Sequence, residues 1–440
     1  MNTMLDKIKN IIKGTKFDNK VFLAGGYVRD MIMGIPNHDF DFCVELPNGG
    51  IELANFLSEK LNGTNVVIFE RFGTAQVVID GNELEFVMTR KESYLKTDRN
   101  PNVIFGTIND DVQRRDFTIN SLLLNISTGQ VIDLTGGVED IKKGIIRTTS
   151  DPSVIFEEDP LRILRAVRFS SRFGFDIEHN TFEQMKILSH TIENISRERI
   201  RDEFMKSLST DNFERALDLY MSTGLIFHIG LPELAMSVGM EQNYFHNKDV
   251  YGHTVDVMRN TKKEPLHRLA AMLHDIGKVN TKSIDTLLFI HFYKHELAST
   301  DIADRFMRSL KFSNDDIELV STAVRNHMRL NEDTSDRKVR SLRCDIGDTN
   351  FDFLLDLCEA DRLSHTKPDV SHIERFRNLK KTERNIKNDM VFNGDDIMCL
   401  FGLTPGKKVG ELLNVVKELT LDNPDITKEE VIEKLLRTLN

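Results

Sequence analysis

The chain has 440 residues, 40% hydrophobic and 29% charged, with four cysteines and no tryptophan. That length exceeds what one hydrophobic core serves and predicts roughly two to four domains. A formal charge of −11 argues against indiscriminate adhesion to nucleic acid while leaving room for a local basic face, and no apolar run reaches transmembrane length.

Residues Met1 to Lys13 mix Lys and Asp with Ile and Leu as a short amphipathic helix does, without the continuous apolar core of a signal peptide. Cys43, Cys344, Cys358 and Cys399 show no CxxC spacing, which predicts neither a disulfide framework nor a zinc knuckle and points to a reducing cytoplasm. Short strands are predicted at Val21–Ala24, Asp39–Glu45, Val66–Glu70, Ala75–Ile79 and Glu83–Thr89, with a hairpin turn at Asp80-Gly81-Asn82. From about Pro152 the pattern turns helical and stays so. The fold class is therefore α+β at the N-terminus followed by helices. Glycine and proline punctuation near Gly136, Gly224, Pro232 and Pro368 divides it into a head (1–145), a helical neck (146–235), a middle helical domain (236–375) and a helical tail (376–440).

Chemistry concentrates first in Leu23-Ala-Gly-Gly-Tyr-Val-Arg-Asp30 and Asp39-Phe-Asp41. A glycine pair at a helix start, Gly25-Gly26 with Arg29 behind it, is a natural anion cradle. Asp39 and Asp41, two apart on a strand, share a face, and like charges there call for a cation between them. Phe40, Phe42 and Val44 mark the opposite face as buried. Glu85, on the face of Glu83 and Val87, is a third carboxylate for two-metal phosphoryl transfer; a surface hairpin acid is the competing reading. Asp111-Val-Gln-Arg-Arg-Asp-Phe-Thr-Ile-Asn120 then sets Arg114 and Arg115 beside Asp116, a pattern in which acids orient guanidinium groups for phosphate.

In order, the glycine motif, Asp39-x-Asp41, Arg114–Asn120 and Glu158-Asp-Pro-Leu-Arg-Ile-Leu-Arg165 resemble the signatures of the bacterial-type (class II) tRNA nucleotidyltransferase and poly(A) polymerase family. The resemblance spans about residues 20–205 and continues more weakly to the end. It implies a nucleotidyltransferase head with a mixed sheet, Mg²⁺ held by Asp39 and Asp41, CTP and ATP as substrates, and tRNA as acceptor, with CCA added to its 3′ end. An A-adding enzyme or a poly(A) polymerase shares these motifs. Asp159 and Arg162, three apart on an expected helix, would read the amino donor and ring-nitrogen acceptor common to C and A; a surface ion pair is the bland alternative. Arg165, Arg168 and Arg172 form a stripe suited to triphosphate or RNA, over a buried stripe of Leu161, Leu164 and Val167. Ile195–Arg201 resembles the last neck motif and is expected to be mainly architectural. Tyr94-Leu-Lys-Thr-Asp-Arg-Asn-Pro101 matches the loop that the family associates with the final A.

Further on, Leu266–Lys278 with His274-Asp275-Ile-Gly-Lys resembles the HD phosphohydrolase signature. His253, His274, Asp275 and Asp361 are expected to hold a divalent metal (Mg, Mn, Ni or Fe), and His295 and His327 a second ion; His267 and His291 are expected to play no catalytic part. This leaves a rival from another class, a metal-dependent phosphohydrolase whose head merely binds nucleotide. Asn393–Asp396 and Gly402–Gly406 resemble a tRNA-gripping tail. No membrane association is expected, and monomer and homodimer stay open.

Overall fold

A computed structural model describes residues 3–70, 73–93, 102–242, 248–379, 391–423 and 426–439. The chain divides into two compact units, Met1–Ile229 and Gly230–Asn440. The second unit opens at Gly230 and includes the short helix Pro232–Met236, where Glu233 pairs with Arg305 (2.5 Å). The expected head and neck form the first unit together.

The first unit opens with α1 (Thr3–Ile12), β1 (Val21–Ala24), α2 (Gly26–Met33), β2 (Phe40–Val44), α3 (Gly49–Leu61), β3 (Val67–Phe69), β4 (Thr74–Ile79) and β5 (Asn82–Met88). These strands lie within a residue or two of their expected positions. Asp80 and Gly81 both take positive φ (50° and 75°), the two-residue turn the sequence calls for. A side hairpin, β6 (Arg90–Ser93) with β7 (Asn102–Phe105), then α4 (Ile108–Gln113), β8 (Leu123–Asn125), β9 (Val131–Ile132), α5 (Gly137–Lys143) and β10 (Ile145–Ile146) complete the head.

Seven strands form a mixed sheet in the order β3-β4-β5-β2-β1-β8-β9, with β2 parallel to β5 and antiparallel to β1. Alternation along β2 turns Phe40, Phe42 and Val44 toward α1 and α3, where they join Ile8, Leu53 and Leu57 in one buried cluster. Phe42 stacks on Phe86 of β5 (4.9 Å, 12°), a geometry that adds about 0.5–1.5 kcal/mol beyond area burial. Asp41 and Cys43 consequently point to the other face, beneath α4.

The neck comprises α6 (Pro152–Glu158), α7 (Leu161–Phe173), β11 (Asp176–Ile177), α8 (His179–Leu188), α9 (Arg197–Leu208), α10 (Phe213–Ser222) and α11 (Leu225–His228). Leu161, Leu164 and Val167 are buried as expected. The second unit begins with α12 (Pro232–Met236) and continues through α13 (Val250–Asn260), α14 (Pro265–Leu273), α15 (Lys278–Thr281), the hairpin β12 (Lys282–Ile284) and β13 (Ile290–Phe292), α16 (His295–Ser309), α17 (Asn314–Asn326), α18 (Asp336–Ile346), α19 (Asp348–Leu363) and α20 (Ser371–Asn378). The tail helices α21 (Gly394–Phe401), α22 (Lys407–Asp422) and α23 (Lys428–Leu439) bury a core of their own around Ile397, Val416 and Leu435. Asn393 and Asp396 form a capping box at the start of α21, and Gly402 ends it at φ 65°, so both tail motifs are helix punctuation. No helix among the described residues is long and apolar enough to cross a membrane, and all four cysteines are free thiols.

Candidate active sites

A cleft of about 850 Å³ in the first unit gathers Gly25, Gly26, Arg29, Asp39, Asp41, Arg114, Arg115, Asp116, Asp159, Arg162, Arg165, Arg168 and Arg199. Gly25 turns the chain from β1 into α2 at φ 63°, and a Cβ there would lie 3.3 Å from Arg115 Nη1; only glycine fits both demands. Arg29 is 4% exposed. Its Nε donates to Asp30 Oδ1 (2.7 Å), its Nη1 donates to Asn120 Oδ1 (2.6 Å), and its guanidinium lies over Phe173 (4.7 Å). Burial pulls its pKa down and Asp30 opposes that. Asn37 ties this cradle to the carboxylates, donating to Asp30 and accepting from the Asp39 backbone N–H, both at 2.8 Å.

Asp39 sits one residue before β2, and Asp41 lies within it; both are exposed to the cleft. Glu85 is the ladder partner of Asp41 on the parallel strand β5 and accepts from Gln76 Nε2 (3.3 Å). The Asp41 carboxyl is raised above its usual range, first by desolvation against the cleft wall, then by the Glu85 charge, with Arg115 opposing. Two carboxylates that raise a proton's affinity also raise a cation's, so Asp39 and Asp41, which line the cleft, suit a divalent ion, whereas Glu85 lies outside the cleft lining and the three do not converge as one ligand set among the described residues.

Arginines around them are braced from behind. Asp111, fully buried, accepts from both Arg114 and Arg115. Against burial, those two cations hold its carboxyl down at about 2. Asp116 accepts from Asn120 Nδ2 (3.1 Å) and from Arg165 (2.6 Å). Glu203 on α9 pairs with Arg168 (2.6 Å). Arg168 and Arg165 are therefore anchored, while Arg172 and Arg199, with side chains 45% and 53% exposed, face solvent.

Asp159 and Arg162 depart from the expected pair. Asp159 is extended (φ −143°, ψ 97°) in the break between α6 and α7, so the two share no helical face. Pro160 ends α6 by disfavouring helix at the residue before it. Arg162 is buried and donates to the carbonyls of Ile155 (3.0 Å) and Arg114 (2.7 Å) and to Glu158 (3.1 Å). The Oδ1 of Asp159 accepts from Leu161 N (3.2 Å), and its Oδ2 meets Arg199 Nη2 at 3.3 Å. Arg199 thus brings the Ile195–Arg201 segment to the cleft beside Asp159. The Tyr94–Pro101 loop lies outside the described residues.

The second unit holds another cluster. His253 comes from α13, His274 and Asp275 from the end of α14, His295 from the first turn of α16, His327 from just after α17, and Asp361 from α19. Ligand atoms of His253, His274 and Asp361 lie within 4.8 Å of one another, as do those of Asp275, His295 and His327. The expected first set thus gives up Asp275 to the second, although Asp275 spans both: Oδ2 is 3.2 Å from His274 and 3.4 Å from His253, while Oδ1 is 3.1 Å from His295. Gly277 permits this, since a Cβ there would stand 2.4 Å from Ser299 N on α16.

His274, His295 and His327 each direct Nδ1 at the carbonyl three residues back (Ala271, Phe292 and Val324, at 2.7, 2.9 and 2.7 Å). With Nδ1–H donating there, Nε2 carries a lone pair, and all three Nε2 atoms are buried without a hydrogen-bond partner. Lone pairs aimed at carboxylates repel unless a cation intervenes, and backbone carbonyls on the far nitrogen are the usual orienting contacts of metal-bound imidazole. The cluster fits one or two divalent ions. Lys278 Nζ reaches Asp275 (2.6 Å), and His365, unforeseen in the sequence, joins Asp361 (3.5 Å). His267 pairs instead with Asp356 (3.1 Å). His291, expected to be idle, lines the mouth of the cluster's cavity.

Comparison with known proteins gives three matching family profiles: "Poly A polymerase head domain" over residues 21–147, "Probable RNA and SrmB- binding site of polymerase A" over 174–237, and "tRNA nucleotidyltransferase domain 2 putative" over 282–436. A CCA-adding enzyme of Ligilactobacillus salivarius is 29% identical over 96% of this chain and 93% of its own length. An A-adding tRNA nucleotidyltransferase of Deinococcus radiodurans is 28% identical over 90% of each. The crystal structure of the Bacillus stearothermophilus CCA-adding enzyme in complex with CTP superimposes with a TM-score of 0.74 at 21% identity, covering 100% of this chain and 98% of that one.

Proposed function

Since the chain belongs to the bacterial-type (class II) tRNA nucleotidyltransferase and poly(A) polymerase family, we propose that it adds CCA to the 3′ end of tRNA, without a template, from CTP and ATP. The observation that carries this reading is the single cleft in which a glycine cradle, two open carboxylates, braced arginines and the neck residue Asp159 converge. The terminal ribose 3′-hydroxyl oxygen attacks the α-phosphorus. A phosphodiester bond forms as the α–β anhydride bond breaks, and pyrophosphate leaves with the electron pair. Asp39 and Asp41 are the residues that would hold Mg²⁺, which when bound lowers charge repulsion at the phosphates and favours the hydroxyl's ionised form. Arg115, locked by Asp111, and Arg172 orient the triphosphate. Asp159 accepts from the amino group of C or A while Arg162 in the same wall donates to the ring nitrogen; G and U present the reverse order. In this assignment residues 1–145 do the chemistry, 146–235 choose the base, and 376–440 hold the tRNA body.

Purified protein offered a tRNA lacking CCA tests this. Two residues incorporated from CTP alone, then one from ATP, are expected. Incorporation of a single A with no C would reassign the chain to A-adding enzymes, and long A tails to poly(A) polymerases.

The three buried, unpartnered Nε2 atoms support a second activity on the same chain, metal-dependent phosphohydrolysis by an HD-type site in residues 236–375. Phosphate release from 2′,3′-cyclic or 2′-phosphate substrates is expected to vanish in Asp275→Ala and persist in Asp41→Ala. The opposite pattern would transfer it to the head.

A further inference from the structure

The β12–β13 hairpin carries two rings, His291 and Tyr293, stacked with centroids 5.1 Å apart and planes 11° from parallel. Both line the cavity of about 250 Å³ that opens onto the imidazole–carboxylate cluster. His291 lies in β13, and Tyr293 is the first residue after it. His291 Nε2 lies 3.0 Å from Asp285 Oδ2, while Asp285 Oδ1 accepts from the backbone of Leu287 and Phe289 and so holds the turn. The strand is fastened to the cluster as well. The Phe292 carbonyl accepts from His295 Nδ1 (2.9 Å), and the Lys278 ammonium lies over the Phe292 ring (5.4 Å). An aromatic surface is thereby fixed in position relative to the candidate ligands. Tyr293 nevertheless leaves 70% of its surface in water, a face wide enough for a planar ring and adjacent to groups suited to phosphate.

We propose that the His291–Tyr293 stack is a nucleobase platform, and that the cluster takes nucleoside phosphates, the base lying on Tyr293 while the phosphate reaches the cluster. This rests on the phosphohydrolase reading of the same site. Stacking on one ring is tolerant of base identity, so purine and pyrimidine nucleotides both bind, whereas phosphate esters without a base lose the platform's contribution.

Calorimetric titration of the full chain with Mn²⁺ present, using adenosine 2′-monophosphate and, separately, glycerol 2-phosphate, tests it. Nucleotide held by the head contributes equally in every variant, so differences between variants report the platform. Tyr293→Ala is expected to weaken the nucleotide about 10-fold, to leave glycerol 2-phosphate unchanged, and to be rescued by Tyr293→Phe. Equal weakening of both ligands, or of neither, overturns the platform. A nucleotide-specific loss without phosphate release from any ester keeps the platform and overturns the hydrolase reading.

Discussion

The head cleft and the helical cluster both collect charge, but they leave opposite things unpaired. In the cleft, the anchored arginines of head and neck have acidic partners: Asp111 for Arg114 and Arg115, Asp116 for Arg165, Glu203 for Arg168. What stays open is a pair of carboxylates, a demand that a cation arriving with its triphosphate can meet. In the cluster, the orphaned atoms are the buried Nε2 nitrogens of His274, His295 and His327, a demand that an ion seated among them would meet. One site is a frame closed by its own ion pairs, and the other is a set of imidazoles and carboxylates that a divalent ion would tie together. Chemistry and stability should therefore respond differently to the same kinds of damage.

The sharpest break is Asp41→Ala. It removes a ligand from the open pair without touching the braces, so nucleotide incorporation is expected to fall at least about 1000-fold, about 4 kcal/mol of barrier, with the thermal midpoint unchanged. Retained tRNA extension would dissociate the carboxylates from the reaction. Asp111→Asn does the reverse. It strands two guanidinium groups in a buried setting and is expected to cost about 3–5 kcal/mol of stability, measured by urea unfolding. The acid limb gives the sign: the folded carboxyl at about 2, against an ordinary 3.8, contributes about 2 kcal/mol. That contribution is fully present above the unfolded value and is lost as pH falls through the folded one. The wild type should lose stability relative to Asp111→Asn between about pH 4 and pH 2.

Sequence alone carried the head far, because alternation on β2 and β5 and the Asp80-Gly81 turn are local facts that set the register and hence the shared face of Asp41 and Glu85. The residues it proposed as the cluster's ligands also lie together in the fold, each histidine on or beside a different helix. It failed where side chains meet across elements. Nothing near Arg199 in the chain reveals that it reaches Asp159, forty positions away. Asn37 looks like any loop residue until it is seen bridging Asp30 and Asp39. The Asp159/Arg162 spacing suggested a helical pair, but Pro160 broke the helix between them, a consequence written in the residues and overridden by the i,i+3 pattern. His365 was missed because a lone histidine carries no periodic signal.

Metal addition sharpens the contrast at the next scale. An ion bound only by the folded cage, at 100 times its dissociation constant, stabilises by about 2.7 kcal/mol. Mn²⁺ is thus expected to raise the unfolding transition of the second unit and leave that of the first nearly still, followed by scanning calorimetry. Asp275→Asn, which removes the bridging charge, should abolish the shift; a shift confined to the first unit would exchange the roles assigned to the two sites.

The smallest expected effect is the most informative about base choice. Asp159 has one oxygen engaged by Leu161 N and the other facing Arg199 at 3.3 Å, so an incoming amino group must compete with that guanidinium. Both side chains are partly exposed (32% and 53%), and such pairs contribute about 0–1 kcal/mol. Arg199→Ala should therefore raise kcat/KM for CTP and ATP together by about 5-fold at most, within the span of that energy, and leave G and U rejected. Asp159→Ala should instead admit G and U with partial activity retained. If Arg199→Ala relaxed base choice as Asp159→Ala does, the donor beside Asp159 would be Arg199. Arg162, held by the Arg114 carbonyl at 2.7 Å, would then be a strut joining neck to head, and the selective edge of the cleft would be built from α9 rather than α7.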